Sequence, residues 1–317
     1  MEVSVIVPVY NQEKFISKCL DSIFSQKTTF SFEVLVGDDC STDNTLQILL
    51  DYSQRFDNVK IHSREQNIGA TKNVYDLCTK MRGRYFAYLE GDDYWCDENK
   101  LQQQYDFMRN NPEYAGCFHD VQLVDIEGNP IDNELEWVTK SKIITMKSYD
   151  GHHLPGHPSS WMRRNYYLEN PDDFSPIYEL NKNIGDRVAA LCFLAKGPFY
   201  NIGGRMSCYR YMRDNLLDNC TSKIYFKNNL ALDDINMLEG MEKFLSEKAN
   251  YKKKFNSRKN QIFVDALVRY CRDKSDENKN ILKEVYQKCE NHFLLILRTP
   301  FLVMKKVLHR YLIKKAQ

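Results

Sequence analysis

Nothing in this 317-residue sequence ties its cysteines together. The ten are scattered from Cys19 to Cys289 with no Cys-x-x-Cys pair. That excludes a thiolate metal knuckle or a disulfide framework and leaves reduced, mostly buried thiols. A run of about 20 apolar residues, the length of a membrane span, is also missing. Met1 leads almost directly into Val3–Val9 without a basic, cleavable leader, so a cytoplasmic protein is expected. Charge of one sign is not in excess. Lys and Arg number 44 against 43 Asp and Glu, a net charge of +1, which argues against a nucleic-acid binder with a dominant basic surface. Two phosphate-binding signatures are absent as well. There is no G-x-x-x-x-G-K-[ST] loop, and no strand precedes a G-x-G-x-x-G.

What is present is a regular alternation. Val3–Val9 is a near-continuous apolar run, as in a strand covered on both faces. Between Glu13 and Gln26, residues Phe15, Ile16, Cys19, Leu20, Ile23 and Phe24 recur at helical spacing. Phe32–Gly37 reads as a second strand. Ser41 or Thr42 then caps a helix carrying Leu46, Leu49 and Leu50. Val59–His62 is a third strand, Gly69–Met81 a third helix and Arg84–Glu90 a fourth strand. Such alternation implies parallel strands with right-handed crossovers, hence an α/β, doubly wound, mostly parallel sheet. Beyond Trp95 the rhythm changes. A helix runs through Leu101, Tyr105 and Met108, followed by a strand from Ala115 to Ile126 and a loop-rich stretch to Asn165. An apolar helix covers Ile184–Ala195, and two short strands flank Gly203-Gly204. From Leu216 onward the chain is helical and highly charged. The boundaries expected are residues 1–215 for the main domain, with halves 1–95 and 96–215, and residues 216–317 for a helical C-terminal region.

Four strand ends carry chemistry, and in an open α/β sheet all four face one edge. The loop Pro8–Glu13 offers backbone N–H groups at a helix start. Gly37–Asp43 carries Asp38 and Asp39 beside a Ser-Thr pair, one carboxylate more than capping needs. Asn67–Asn73 places Gly69 at a helix start and Lys72 one turn later. Tyr85–Trp95 runs from an apolar strand straight into Glu90-Gly91-Asp92-Asp93. Buried carboxylates want a cation, and a hard divalent ion with oxygen ligands, carrying phosphate on its other face, is the simplest tenant.

Together the segments Val5–Asn11, Asp38–Asp43, Asn67–Gly69 and Glu90–Asp93 resemble the inverting family 2 glycosyltransferases of GT-A fold, over roughly residues 3 to 213. The resemblance implies that Pro8, Tyr10 and Asp39 surround the nucleoside of a nucleotide sugar, Asp39 on the uracil edge. Asn67 and Lys72 would lie near the base or diphosphate. Glu90-Gly91-Asp92 stands where the family has Asp-x-Asp, so Asp92 and Glu90 would hold Mn²⁺ or Mg²⁺, with Asp92 the direct ligand. The Glu in first place departs from the commonest pattern. Asp93 would touch the donor sugar, and Arg210, in Cys208-Tyr209-Arg210, would make a diphosphate or structural contact. Asp186 matches the family's catalytic base ahead of an apolar helix, with Gly185 where a second acid often stands.

In the segment Gly156–Trp161, His157 and Trp161 are expected to border the acceptor, a glycan or lipid-linked sugar of the cell surface, with Trp161 stacking on a sugar face. His153 and His157 lack ligand company as a metal pair. A nucleotidyltransferase is the competing enzyme class, but its first loop should be glycine-rich and basic, and Tyr10-Asn11-Gln12-Glu13 is neither. A non-catalytic nucleotide-sugar-binding protein of the same fold is the other alternative. Residues 292–317 mix apolar residues with Arg298, Lys305, Lys306 and Arg310. That composition suits a basic amphipathic helix on an anionic membrane surface, a peripheral attachment to the inner face, or else a helix packed on the protein.

Overall fold

The computed structural model describes residues 1–181, 185–211 and 230–290, together with 295, 299 and 300. The chain forms two compact units, Met1–Asp214 and Asn215–Gln317.

In the first unit the opening elements are β1 (Val3–Val9), α1 (Ile16–Phe24), β2 (Phe32–Asp38), α2 (Thr45–Arg55), β3 (Val59–Ser63), α3 (Ala70–Cys78) and β4 (Tyr85–Tyr88). β5 (Tyr94–Trp95), α4 (Lys100–Asn110), β6 (Gly116–Val124) and β7 (Ile143–Ile144) follow. β8 (Met162–Arg164), α5 (Pro176–Glu179), α6 (Gly185–Leu194) and β9 (Phe199–Arg210) complete it. The strand order is β3-β2-β1-β4-β8-β6-β9-β5, with β7 paired to β9. β1 pairs in parallel with β2 and β4, and β2 with β3. The antiparallel β8 is inserted between β4 and β6.

Period-two alternation sorts the two faces. Val3, Val5, Val7 and Val9 pack with Ile16, Leu20 and Ile23 of α1, Leu49 of α2 and Leu101 of α4, all buried. Truncating one such leucine to alanine typically costs about 2–5 kcal/mol. On the other face, Phe86 lies 5.7 Å from Phe193 of α6. Continuing that face, Tyr88 and Glu90 emerge at the carboxyl edge.

Several strands differ from the reading of the sequence. Strand β9 is continuous from Phe199 to Arg210 rather than two pieces, because Gly203 and Gly204 at φ +79° and +77° make an irregularity inside it. Its register against β6 shifts on either side of Asp120. The three-residue β8 lies inside the stretch expected to be loop.

One core position is under strain. Lys100 is fully buried, its ammonium 3.9 Å from the centre of the Trp95 ring and without a hydrogen-bond partner among the described residues. Burial pulls its pKa down to about 7. Between that value and the unfolded value near 10.4 the unfolded chain holds a proton that the native one lacks, so this group makes stability rise with pH there. The penalty is complete below about 7. Lys100→Met, similar in length and uncharged, is expected to raise stability at pH 7 by roughly 2–4 kcal/mol. Denaturant titration at pH 7 and pH 10 checks it, with a smaller gain at the higher pH.

In the second unit, α7 (Ala231–Lys248), α8 (Asn256–Arg272) and α9 (Asp276–Gln287) pack against one another. Buried Lys259 reaches Glu242 at 3.1 Å, and Glu242 also accepts from Phe255 N–H at 2.8 Å. The proposed membrane-surface segment 292–317 lies outside the described residues except for Leu295, Thr299 and Pro300. Among the described residues no helix is long and apolar enough to cross a membrane.

Candidate active site

The loops after β1 and β2 are knitted into one rim. Asn11 and Cys40 both adopt left-handed φ, +52° and +64°, a conformation Asn tolerates better than most residues. Asn11 N–H donates to Ser41 Oγ at 2.9 Å, and Thr42 N–H donates back to Asn11 Oδ1 at 2.8 Å. Gln12 N–H reaches Thr45 Oγ1, Glu13 N–H reaches Asp43, and Asn44 N–H reaches Glu13. Asp39, nearly buried, accepts from Ile68 N–H and Gly69 N–H at 2.8 and 2.9 Å, one on each oxygen. Its carboxylate thus pins the loop after β3 at the start of α3. Tyr10 is 46% exposed on the rim and Pro8 half-buried beside it. Asn67 turns inward to accept from Gly69 N–H at 3.1 Å. Exposed Lys72 lies 4.0 Å over the Tyr178 ring of α5.

At the end of β4 the chain turns, with Asp93 N–H donating to Glu90 O at 3.0 Å. Tyr88 O–H donates to Glu90 Oε1 at 2.8 Å. The turn swings Asp93 to the Glu90 side. Ligand atoms of Glu90, Asp93 and His157 all lie within 4.8 Å of one another, and Asp92 is not in that set. Asp93 Oδ1 accepts from Arg210 N–H at 3.0 Å, while the buried Oδ2 has no hydrogen-bond partner among the described residues and lies 4.0 Å from His157 Nδ1. The Arg210 guanidinium donates to Asp92 O and rests 4.7 Å over the Phe15 ring.

Burial and mutual repulsion act together on these acids. Glu90 is pushed up to about 8, first by burial, then by Asp92 and Asp186. Asp93 is pushed well above the carboxylate range by burial and by Asp92 and Glu90, and Asp92 is raised by burial. Burial lowers His157 to about 3, so its imidazole is neutral. Its Nδ1 already accepts from Ser159 N–H at 3.2 Å, which leaves the carboxylates the stronger claimants on a cation.

Asp186 sits in the first turn of α6, where the helix dipole favours a negative charge. Gly185 before it is packed so closely that a Cβ would meet Thr71 Cγ2 of α3 at 3.0 Å. Burial raises the Asp186 pKa, and the cations of Arg163 and Arg187 oppose the rise. Its charge is felt by Glu90 and Tyr88, so the start of α6 and the acid corner share one electrostatic environment.

His157 is placed by its own loop. Gly156 has φ +74°, and a Cβ there would meet Phe118 Cδ2 at 2.5 Å. Ser160 Oγ donates to His157 O at 2.6 Å. Gly156→Ala is expected to lower stability by roughly 2–4 kcal/mol through left-handed strain and a clash with a packed ring. Thermal unfolding of the purified variant measures it, and an unchanged Tm would contradict the packing.

Trp161 corrects the sequence reading. It is 1% exposed, its indole N–H donates to Pro155 O, and Arg163 stacks 4.8 Å from its ring. Just ahead of β8 it fills the core and presents no face to a sugar. Sequence reasoning misses Trp137 and Tyr209, which are partly exposed and lie against His157. Trp137 stands in an acidic loop without periodic signal, and Tyr209 reads in the sequence only as the neighbour of Arg210.

Residues 4–170 match the profile of a family described as glycosyl transferase family 2. The putative teichuronic acid biosynthesis glycosyltransferase TuaG of Bacillus subtilis is 34% identical over 130 residues, 41% of this chain and 50% of that protein. The poly(ribitol-phosphate) beta-N-acetylglucosaminyltransferase TarS of Staphylococcus aureus is 42% identical over 98 residues, 30% of this chain and 17% of that protein. The chain thus spans half or less of the length of these relatives. The solved structure of S. aureus TarS 1–349 in complex with UDP-GlcNAc superposes with a TM-score of 0.64 at 20% identity, covering 97% of this chain and 85% of that one. At that identity the likeness shows the fold, a GT-A sheet with C-terminal helices.

Proposed function

Because this chain belongs to glycosyl transferase family 2, we propose that it moves a sugar from a UDP-linked donor to a hydroxyl of a glycan or lipid-linked acceptor, with inversion, in making a cell-surface polysaccharide. The observation that carries this reading is the acid corner. Glu90, Asp92 and Asp93 repel one another at the carboxyl edge of the sheet, and Asp186 joins them electrostatically from α6. Acids so raised, with one buried oxygen unpartnered, fit a divalent cation such as Mn²⁺ or Mg²⁺. Glu90 and Asp93 would hold it, with Asp92 and His157 at its border. When bound, the ion neutralises charge developing on a departing diphosphate.

The rim built by Pro8, Tyr10 and Asn67, with Asp39 fixing the loop after β3, supports a nucleoside site beside the acids, and Arg210 supports a diphosphate contact. Asp186 takes the proton of the acceptor hydroxyl as that oxygen attacks the anomeric carbon from the face opposite the diphosphate. One displacement of this kind inverts the configuration. Arg163 and Arg187 hold Asp186 ionised enough to serve, while its burial makes it the stronger base.

The test is donor hydrolysis over a panel of UDP-sugars, with Mn²⁺, Mg²⁺ or EDTA. Slow release of UDP from at least one donor, lost in EDTA, is expected. Binding of a UDP-sugar without turnover under any metal would turn the reading towards a non-catalytic binding protein.

A further inference from the structure

We propose that Trp137, His157 and Tyr209 form a carbohydrate subsite that holds a pyranose ring of the acceptor beside the acid corner, an inference that rests on the transferase reading above. The three rings meet at one place. Trp137 and His157 have centroids 5.5 Å apart, His157 and Tyr209 4.1 Å, and Trp137 and Tyr209 6.5 Å at an edge-on 86°. His157 is buried beneath the other two rings, whereas Trp137 and Tyr209 are partly exposed. Asp93 Oδ2 is 4.0 Å from the His157 imidazole, so the aromatic group stands next to the acid corner.

The three tryptophans divide sharply. Trp95 and Trp161 are 4% and 1% exposed and their indole N–H groups are bonded to Ser159 O and Pro155 O. Trp137 Nε1 makes no hydrogen bond among the described residues. Its backbone is nonetheless fixed, since Leu154 N–H donates to Trp137 O at 2.8 Å and Thr139 N–H to Leu154 O at 2.9 Å. Leu154 is three residues ahead of His157, so one short backbone link sets the indole and imidazole relative to each other. A rigid, partly exposed aromatic with a free N–H is what the C–H face and hydroxyl rim of a pyranose require.

Topology separates this site from the nucleoside rim. Across the sheet, β1, β2 and β3 lie on one side of β4, and β8, β6 and β9 on the other. The acids follow β4, so the rim and the aromatic site flank them from opposite sides. The aromatic site therefore lies across the acids from the nucleoside rim, and the UDP-sugar affinities below distinguish an acceptor contact from one with the donor sugar.

The full chain, loaded with UDP and Mn²⁺, would be applied to a printed array of pyranose-containing bacterial glycans, with UDP and UDP-sugar affinities measured by calorimetry. The wild type should retain at least one glycan. Trp137→Ala should weaken that retention at least about tenfold and Trp137→Phe by less than about threefold. Both variants should bind UDP and UDP-sugars as the wild type does. Iodide quenching of tryptophan emission, which reads Trp137 because the other two indoles are buried, should be relieved by the retained glycan. Retention of no glycan, equal retention by Trp137→Ala, or a Trp137→Ala defect for UDP-sugar but not UDP would each overturn the assignment. No transfer occurs in this assay, so a failed transferase reading leaves its result interpretable.

Discussion

Asp186→Asn is expected to fold, bind a UDP-sugar with wild-type affinity and transfer sugar at least about a hundredfold more slowly. The amide keeps the size of the side chain and its place in the first turn of α6, so the helix start remains. What disappears is the basic oxygen. Asp186 is raised by burial and restrained by Arg163 and Arg187, a balance that suits proton uptake from a neutral hydroxyl. A defect confined to kcat, with donor KM unchanged, marks an interaction made only in the transition state. Near-normal turnover would remove Asp186 from the role, and a fall in donor affinity alone would move it to donor binding.

The second large effect concerns the cation. Asp93→Asn leaves an acceptor for Arg210 N–H but removes the charge at the oxygen that has no partner. Mn²⁺ affinity, read by calorimetry or by the free-ion EPR signal, should drop at least about thirtyfold and transfer by about two orders of magnitude. The metal-free variant should at the same time be more stable than the wild type, since the buried one of three crowded acids is gone. Loss of activity with a lower Tm would instead point to a structural role for the Arg210 contact. Undiminished Mn²⁺ binding would place the ion elsewhere.

The first ninety residues are open to reading because their information is local. Val3–Val9 announces a strand buried on both faces, and Ile16, Leu20 and Ile23 announce one face of a helix. The acid corner is legible as a cluster but not in its internal arrangement. Extending β4 through Glu90-Gly91-Asp92 puts residues 90 and 92 on one face by period two. The strand in fact ends at Tyr88, and the turn closed by Asp93 N–H on Glu90 O presents Asp93 instead. The second half of the sheet is legible only in part. Three residues of β8 cannot show an alternation, and their pairing with β4 and β6 is decided by strands far away in sequence. Trp161 and Trp137 illustrate the same limit. Both are loop aromatics in the sequence, and only the packing of Phe199 and Arg163 against the one and of His157 against the other distinguishes core from surface.

Arg210 ends β9, yet its N–H and guanidinium return to Asp93 and Asp92, separations of 117 and 118 residues. β9 also supplies the partners of β5, β6 and β7. Such long-range pairings form late, because the loop-closure entropy must be met before the contacts exist. During synthesis the βα units that carry the acids can collapse first, with their corner open and its repulsion uncompensated, until residue 210 has left the ribosome and β9 has docked. Completion of the acid corner is therefore expected only once β9 has docked. A refolding experiment that follows the Tyr94 and Trp95 environment should see it change after the first βα units have formed.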